Sequence, residues 1–169
     1  MDAETVANFL ALLILGGLAG TGLAVTSSTT RTQLASVALP LTALVATGAM
    51  VGSLYFSKSA GFVPCELCWY QRIAMYPLGP MLALAAFRRD RGIEPYALLI
   101  AVAGLGISLY HVQLQQWPDQ GSFCEVANPC SGRWVEGLGW MTIPQMAAGS
   151  FALIVSLLAL DMFTSREAS

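Results

Sequence analysis

Charge-free apolar runs alternate with short polar turns along the whole chain. Asn8–Val25 is an uncharged stretch that as an α-helix spans about 27 Å, close to the hydrocarbon thickness of a bilayer. Residues 34–57 form a longer uncharged run. Residues 67–87 are apolar except for Arg72, residues 95–115 except for His111, and residues 143–160 carry no charge. The pattern predicts five transmembrane helices in one membrane domain over 1–169, an all-α polytopic bundle. A buried helix of a soluble protein would explain any single run. Five together leave too little polar chain to cover them. Two segments, Gly16–Gly20 and Gly48–Gly52, have GxxxG spacing and are expected to be sites of close helix packing. The one long connection, residues 115–142, carries Trp117, Phe123, Trp134 and Trp140, the residue type that settles at a lipid–water interface.

Composition sharpens this reading. Apolar residues make up 56% of the chain and charged residues 11%, against about 25% charged in soluble domains. Mean hydropathy is +0.63. Intrinsic disorder, coiled coil and nucleic-acid binding are excluded as readings. One Lys and seven Arg supply all the basic charge. Arg31, Arg88, Arg89, Arg91 and Arg166 flank the runs on one side, and Lys58 and Arg133 fall on the other. By the positive-inside rule the first set is cytoplasmic. The N-terminus is then outside, and residues 65–68 and 124–130 face the oxidising compartment where disulfides persist. The first run has Asp2 and Glu4 before it and no basic residue. That is the wrong flank for a signal peptide, so a retained helix is expected over 8–25.

All four cysteines lie on that outer side as two close pairs, Cys65/Cys68 and Cys124/Cys130. Pro64-Cys65-Glu66-Leu67-Cys68-Trp69 opens the third run. Proline suits a first helical turn, and the positive end of a helix dipole lowers a thiol pKa. A CxxC at that place can cycle between dithiol and disulfide. Cys124 and Cys130 bracket Glu-Val-Ala-Asn-Pro, a span that can close a small ring. The ring reads equally as a structural staple or as an exposed, exchangeable disulfide. A four-cysteine zinc site would need two structured knuckles, which this spacing does not offer, so no metal is expected.

Arg72 lies one turn after Cys68, on the same helix face. A charge within a span costs about 2.5–3.5 kcal/mol even on the permissive insertion scale. Snorkelling to the outer interface would reduce that cost. A functional Arg72 would stabilise a thiolate at Cys68 or hold a polar acceptor beside it. His111 is the chain's single histidine. Counted from the Arg88–Arg91 turn, Arg72 and His111 sit at nearly equal depth, so they are expected to meet beside Cys68. Arg and His donors with a flat apolar slot, drawn from Trp69, Leu114 and Met75, suit a lipid-soluble quinone.

These residues bring a family into view. The chain resembles the bacterial disulfide-bond formation protein B family (DsbB), including its BdbC-like members. The resemblance rests on Pro64-Cys65-Glu66-Leu67-Cys68-Trp69-Tyr70-Gln71-Arg72, on His111-Val112-Gln113-Leu114-Gln115-Gln116-Trp117-Pro118 leading to Cys124, and on Pro144-Gln145. It covers about residues 36–163, a four-helix core, and leaves the first helix as an addition. It implies a thiol:quinone oxidoreductase of the bacterial cytoplasmic (inner) membrane. Such proteins reoxidise an extracytoplasmic thioredoxin-fold dithiol oxidase (DsbA-like) and draw on the respiratory pool of ubiquinone or menaquinone in the membrane lipid.

By the same resemblance the partner's thiolate attacks the Cys124–Cys130 disulfide at Cys124, and Cys130 exchanges with Cys65. Cys68 is left as a thiolate beside the quinone, with Arg72, His111, Gln115 and Trp69 around it. The Cys124–Cys130 loop is much shorter than in the best-known enterobacterial member of that family, which is expected to limit how far Cys130 can travel toward Cys65. Two other enzyme readings fit less well. A vitamin K epoxide reductase-like protein would place the loop pair before the CxxC. A CcdA-type electron carrier needs cysteines reachable from both faces. A non-enzymatic scaffold with structural disulfides or zinc predicts no role for Arg72.

Overall fold

The computed structural model describes residues 2–120, 124 and 128–167. Among the described residues there are six α-helices: α1 (Ala3–Val25), α2 (Ser28–Ser36), α3 (Ala38–Lys58), α4 (Glu66–Arg88), α5 (Glu94–Gln116) and α6 (Ile143–Glu167). A two-stranded antiparallel hairpin, β1 (Glu136–Gly137) and β2 (Met141–Thr142), precedes α6.

Among the described residues, four helical segments are long and apolar enough to cross a membrane: Ala3–Val25, Ala38–Lys58, Arg91–Gln116 and Ile143–Glu167. The chain is a multi-pass membrane protein. A fifth span, expected over 67–87, is not shown. The helix is there as α4, but Glu66, Gln71, Arg72 and Arg88, with Pro77 and Pro80 inside it, dilute its apolar character. The second apolar run is also interrupted. The backbone breaks at Val37, which separates the polar α2 from α3.

α3, α4, α5 and α6 pack around a common core of Ala46, Leu78, Leu82, Ala101, Phe151 and Ile154. The buried positions of α4 recur at helical spacing through Leu67, Gln71, Ala74, Leu78, Leu82 and Ala85, so one stripe faces the core. α5 approaches α6 closely at Gly104, where a Cβ would lie 2.3 Å from Phe151 Cε1. At one end of the bundle Arg31 pairs with Glu167 at 2.7 Å and Arg91 with Asp161 at 3.2 Å. The cysteines sit at the other end, where α4 begins and α5 finishes.

α1 lies against α6 and the hairpin. A Cβ at Gly17 would meet Leu153 Cδ2 at 2.7 Å, and one at Gly149 would meet Ile14 Cγ2 at 2.5 Å. These glycines make the close helix contact. The GxxxG expectation is corrected here. Gly16, Gly20 and Gly48 face open space, and of the four predicted positions Gly52 alone meets another helix, at Leu10 of α1. Small residues allow close approach but do not cause it. Asn8 and Ala7 anchor α1 at the hairpin instead: Asn8 Oδ1 accepts from Leu138 N–H, and the Ala7 carbonyl lies 2.7 Å from where a Gly137 Cβ would stand.

Candidate functional site

Pro64 hands an extended backbone to Cys65, which is the N-cap of α4 (φ −72°, ψ 173°). A helix start leaves N–H groups without intrahelical partners. The Cys65 sulfur takes one of them, accepting from Cys68 N–H at 3.4 Å. The helical turn brings Cys68 Sγ to 2.8 Å from Cys65 Sγ. Cys65 is buried and Cys68 is half-buried.

The loop before the hairpin is tied down on this turn. Cys124 and Cys130 are joined in a disulfide. Asn128 Nδ2 donates to the Pro64 carbonyl at 3.1 Å. Gln115 Nε2 donates to the Gly132 carbonyl at 3.0 Å, and Thr142 Oγ1 donates to Gln115 Oε1 at 2.7 Å. Gln115 thus holds loop and hairpin to the end of α5. His111 Nε2 lies 2.9 Å from the Cys130 carbonyl and 3.7 Å from Cys65 Sγ. A carbonyl only accepts, so Nε2 carries the proton and points a donor into the space between the two cysteine pairs.

The Cys65 and Cys130 sulfurs and a His111 ring nitrogen all lie within 4.8 Å of one another. The short ring was expected to limit how far Cys130 can travel toward Cys65. With the loop held by Asn128, His111 and Gln115, the two sulfurs already lie within 4.8 Å of one another. These three groups have metal-ligand character, but the Cys130 sulfur is spent in its disulfide. In the dithiol form, hydrogen bonding from Cys68 and then from His111 outweighs burial and holds the Cys65 thiol far below its ordinary value, at about 4.

Arg72 lies across the turn. Its Nε donates to Ser53 Oγ at 3.0 Å and its Nη2 to the Ser53 carbonyl at 3.1 Å, both on α3. Its guanidinium sits 5.3 Å from the centre of the Trp69 ring. Trp69 itself is 54% exposed, which suits a residue on the outer surface better than a wall of a closed slot. Arg72 and Cys68 line a cavity of about 470 Å³ bounded by α1, α3, α4 and α6. Met75 lines it too. Leu114 packs instead with Cys65 and Cys130.

His111 and Gln115 belong to a second, small cavity of about 20 Å³, shared with Cys65, Cys130 and Thr142. Arg72 and His111 therefore do not meet in one pocket. Equal depth on neighbouring helices says nothing about which way each side chain turns. Cys68, Trp134 and Ile143 line both cavities. Of the loop aromatics, Trp117, Trp134 and Trp140 are exposed, and Phe123 lies outside the described residues.

Sequence reasoning missed Ser53, Asn128, Thr142 and Gln71. Gln71 is buried and donates from Nε2 to Ser108 Oγ at 3.0 Å, joining α4 to α5 beside the site. A buried amide inside a span was the available signal, since such groups need partners. Ser53 gave none, being one of many small polar residues in these helices.

The family model "Disulfide bond formation protein DsbB" matches residues 30–162. The chain is 44% identical over 119 residues to "Disulfide bond formation protein C" of Bacillus subtilis (strain 168), covering 69% of this chain and 86% of that protein. It is 41% identical over 114 residues to "Probable disulfide formation protein C" of Halalkalibacterium halodurans, covering 66% and 82%. It is 37% identical over 124 residues to "Probable disulfide formation protein C 2" of Bacillus anthracis, covering 73% and 89%. No solved structure matches. With two cysteine pairs brought together at one end of a membrane helix bundle, and a match spanning most of its length, this chain belongs to the DsbB family of disulfide bond formation proteins.

Proposed function

We propose that this protein is a thiol:quinone oxidoreductase of a bacterial cytoplasmic membrane, reoxidising an extracytoplasmic thioredoxin-fold dithiol oxidase. α4 crosses the membrane with the other long helices, and both cysteine pairs face outward. The observation that carries the reading is the approach of Cys65 Sγ and Cys130 Sγ to within 4.8 Å, with Cys68 opening onto a separate apolar cavity that also contains Arg72.

Cys124 is half-buried and Cys130 almost fully buried, so Cys124 is the accessible sulfur. A thiolate of the partner attacks Cys124 Sγ and breaks the Cys124–Cys130 bond, releasing Cys130 as thiolate. Cys130 attacks Cys65 Sγ and breaks the Cys65–Cys68 bond, releasing Cys68 as thiolate. The partner's second thiol closes the partner's own disulfide and frees Cys124. Cys124 then attacks Cys130, which re-forms their bond and releases Cys65. The depressed pKa of Cys65 makes it a good leaving group in that last exchange.

The cavity fits a quinone. Its about 470 Å³ lies within the roughly 300–1,000 Å³ of small-molecule sites, which are mostly apolar with a few polar groups. A bound quinone supplies a two-electron, two-proton acceptor. Those electrons and protons come from the partner's dithiol, and the Cys65–Cys68 bond is restored. Arg72, held by Ser53, brings a positive charge to the cavity that Cys68 lines, where it can hold a polar acceptor. His111 serves the other side of the turn. Its Nε2–H orients Cys130 and stabilises charge on Cys65. Gln115 keeps the loop in register.

The test is quinone reduction by the purified protein in detergent, followed by absorbance, with a reduced thioredoxin-fold oxidase as donor. Turnover that is lost in Cys124→Ser supports the two-pair relay. A protein that reduces neither ubiquinone nor menaquinone analogues would overturn the reading in favour of structural disulfides.

A further inference from the structure

α1 lies outside the segment matched by the family, which begins at residue 30, yet it forms one wall of the cavity at Cys68 and Arg72. Leu10, Leu13, Gly16, Gly20 and Thr21 line it, opposite Leu41, Gly48 and Phe56 of α3. The lining of α3 runs from Leu41 to Ser57, about 24 Å along a helix axis at 1.5 Å per residue. Spread over that length, about 470 Å³ makes a narrow channel rather than a chamber. Its walls are almost wholly apolar; Cys68, Arg72 and Ser53 lie toward one end, and Thr21, further along α1, turns its hydroxyl to the Gly17 carbonyl.

The glycines keep it open. Gly16 and Gly20 are one turn apart on α1, Gly48 lines the same cavity from α3, and a Cβ on any of the three meets nothing within 4 Å. α1 is held elsewhere, at Ile14 and Gly17 by Gly149 and Leu153 of α6 and at Asn8 by the hairpin. α1 thus touches α3 at Leu10 and Gly52, stands off from it at Gly16 and Gly20, and covers the groove between α3 and α6 instead of filling it.

We propose that α1 is a specificity element that walls a channel for the isoprenoid tail of the quinone, with the ring at Cys68 and Arg72. This rests on the quinone reading of that site. A channel joined to the redox end, polar at that end and apolar along its length, matches a polar ring bearing a long hydrocarbon tail. A phospholipid acyl chain is the competing occupant.

The test compares the full chain with Gly16→Leu/Gly20→Leu in liposomes, using a polyisoprenyl quinone and its tail-less ring analogue. Gly22→Leu is the control, because Gly22 is on α1 but does not line the channel. The expected result is a KM for the tailed quinone raised about tenfold or more in the double variant, equivalent to 1.4 kcal/mol. The KM for the ring analogue and the behaviour of Gly22→Leu stay as in the parent. Equal KM changes for both quinones, or none, would overturn the role of α1 while leaving the Cys68–Arg72 reading intact. Unchanged kinetics with loss of co-purifying phospholipid would assign the channel to an acyl chain and also overturn it. A parent protein that reduces neither quinone would defeat the underlying reading itself. Should the double variant fail to fold, the parent decides: its KM must fall as the tail is lengthened and then level off, and a KM independent of tail length refutes the channel.

Discussion

Removing the imidazole of His111 tests the division of labour between the two sides of the CxxC turn. His111 is 1% exposed and Cys65 is 4% exposed, so solvent screens their interaction little. His111 Nε2 is 3.7 Å from Cys65 Sγ, its proton shared with the Cys130 carbonyl at 2.9 Å. A hydrogen bond to a charged group contributes about 1.5–3 kcal/mol, and one pKa unit is 1.36 kcal/mol. His111→Ala should therefore raise the Cys65 pKa in the dithiol from about 4 by about one to two units. The thiolate exists above the pKa and is lost as pH falls through it. The reactive form of Cys65 should then disappear at a higher pH in the variant, inside a window of about pH 4–6. The assay is alkylation of Cys65 against pH in reduced protein carrying Cys124→Ser and Cys130→Ser, read by mass spectrometry. His111→Gln, which keeps an N–H donor, should recover part of the shift. A midpoint that does not move in His111→Ala, or a parent midpoint near the ordinary thiol value of about 8.5, would refute the reasoning.

Three further outcomes are expected. Cys68→Ser/Cys124→Ser should form a Cys65–Cys130 disulfide under mild oxidation, because the two sulfurs already lie within 4.8 Å; peptide mapping under non-reducing conditions that finds both thiols free would contradict the relay. Arg72→Ala should lower kcat/KM for quinone by about ten- to hundredfold, the loss of one charge-assisted interaction, while the first exchange between the partner and Cys124 keeps its rate in stopped-flow. Gly104→Ala should destabilise the bundle by about 1–3 kcal/mol through overpacking, since its Cβ would stand 2.3 Å from the fully buried Phe151; an unfolding midpoint in denaturing detergent equal to the parent's would show that Phe151 moves aside freely.

The helices were legible because membrane spans are written in local composition. Four of the five expected runs are long, apolar helices, and the fifth forms as α4 with too many polar and proline residues to meet the same standard. The placement of Arg31 and Arg91 on one side of the runs was read from the sequence, but their pairing was not. At one end of the bundle they meet Glu167 and Asp161 of α6, contacts that depend on how the helices pack. Small-residue spacing misled. Gly17 and Gly149 make the close contact between α1 and α6, while Gly16 and Gly20 border open space. A GxxxG pattern states which residues permit contact, and the rotation of each helix about its axis decides which do so.

The sequence by itself determined the chemistry: two thiol pairs, one arginine a turn after the CxxC, one histidine, and the membrane spans that carry them. Those follow from residue type and from spacing along a single helix, where 3.6 residues per turn sets what shares a face. Only the tertiary structure decided that His111 turns toward Cys65 and Cys130 while Arg72 turns toward Ser53 and the long cavity. The same holds for the docking of the Cys130 loop on Pro64 through Asn128, and for α1 as a wall of that cavity. Each depends on how helices rotate and pack against one another, and on hydrogen bonds between residues far apart in the chain. Local periodicity carries no information about either.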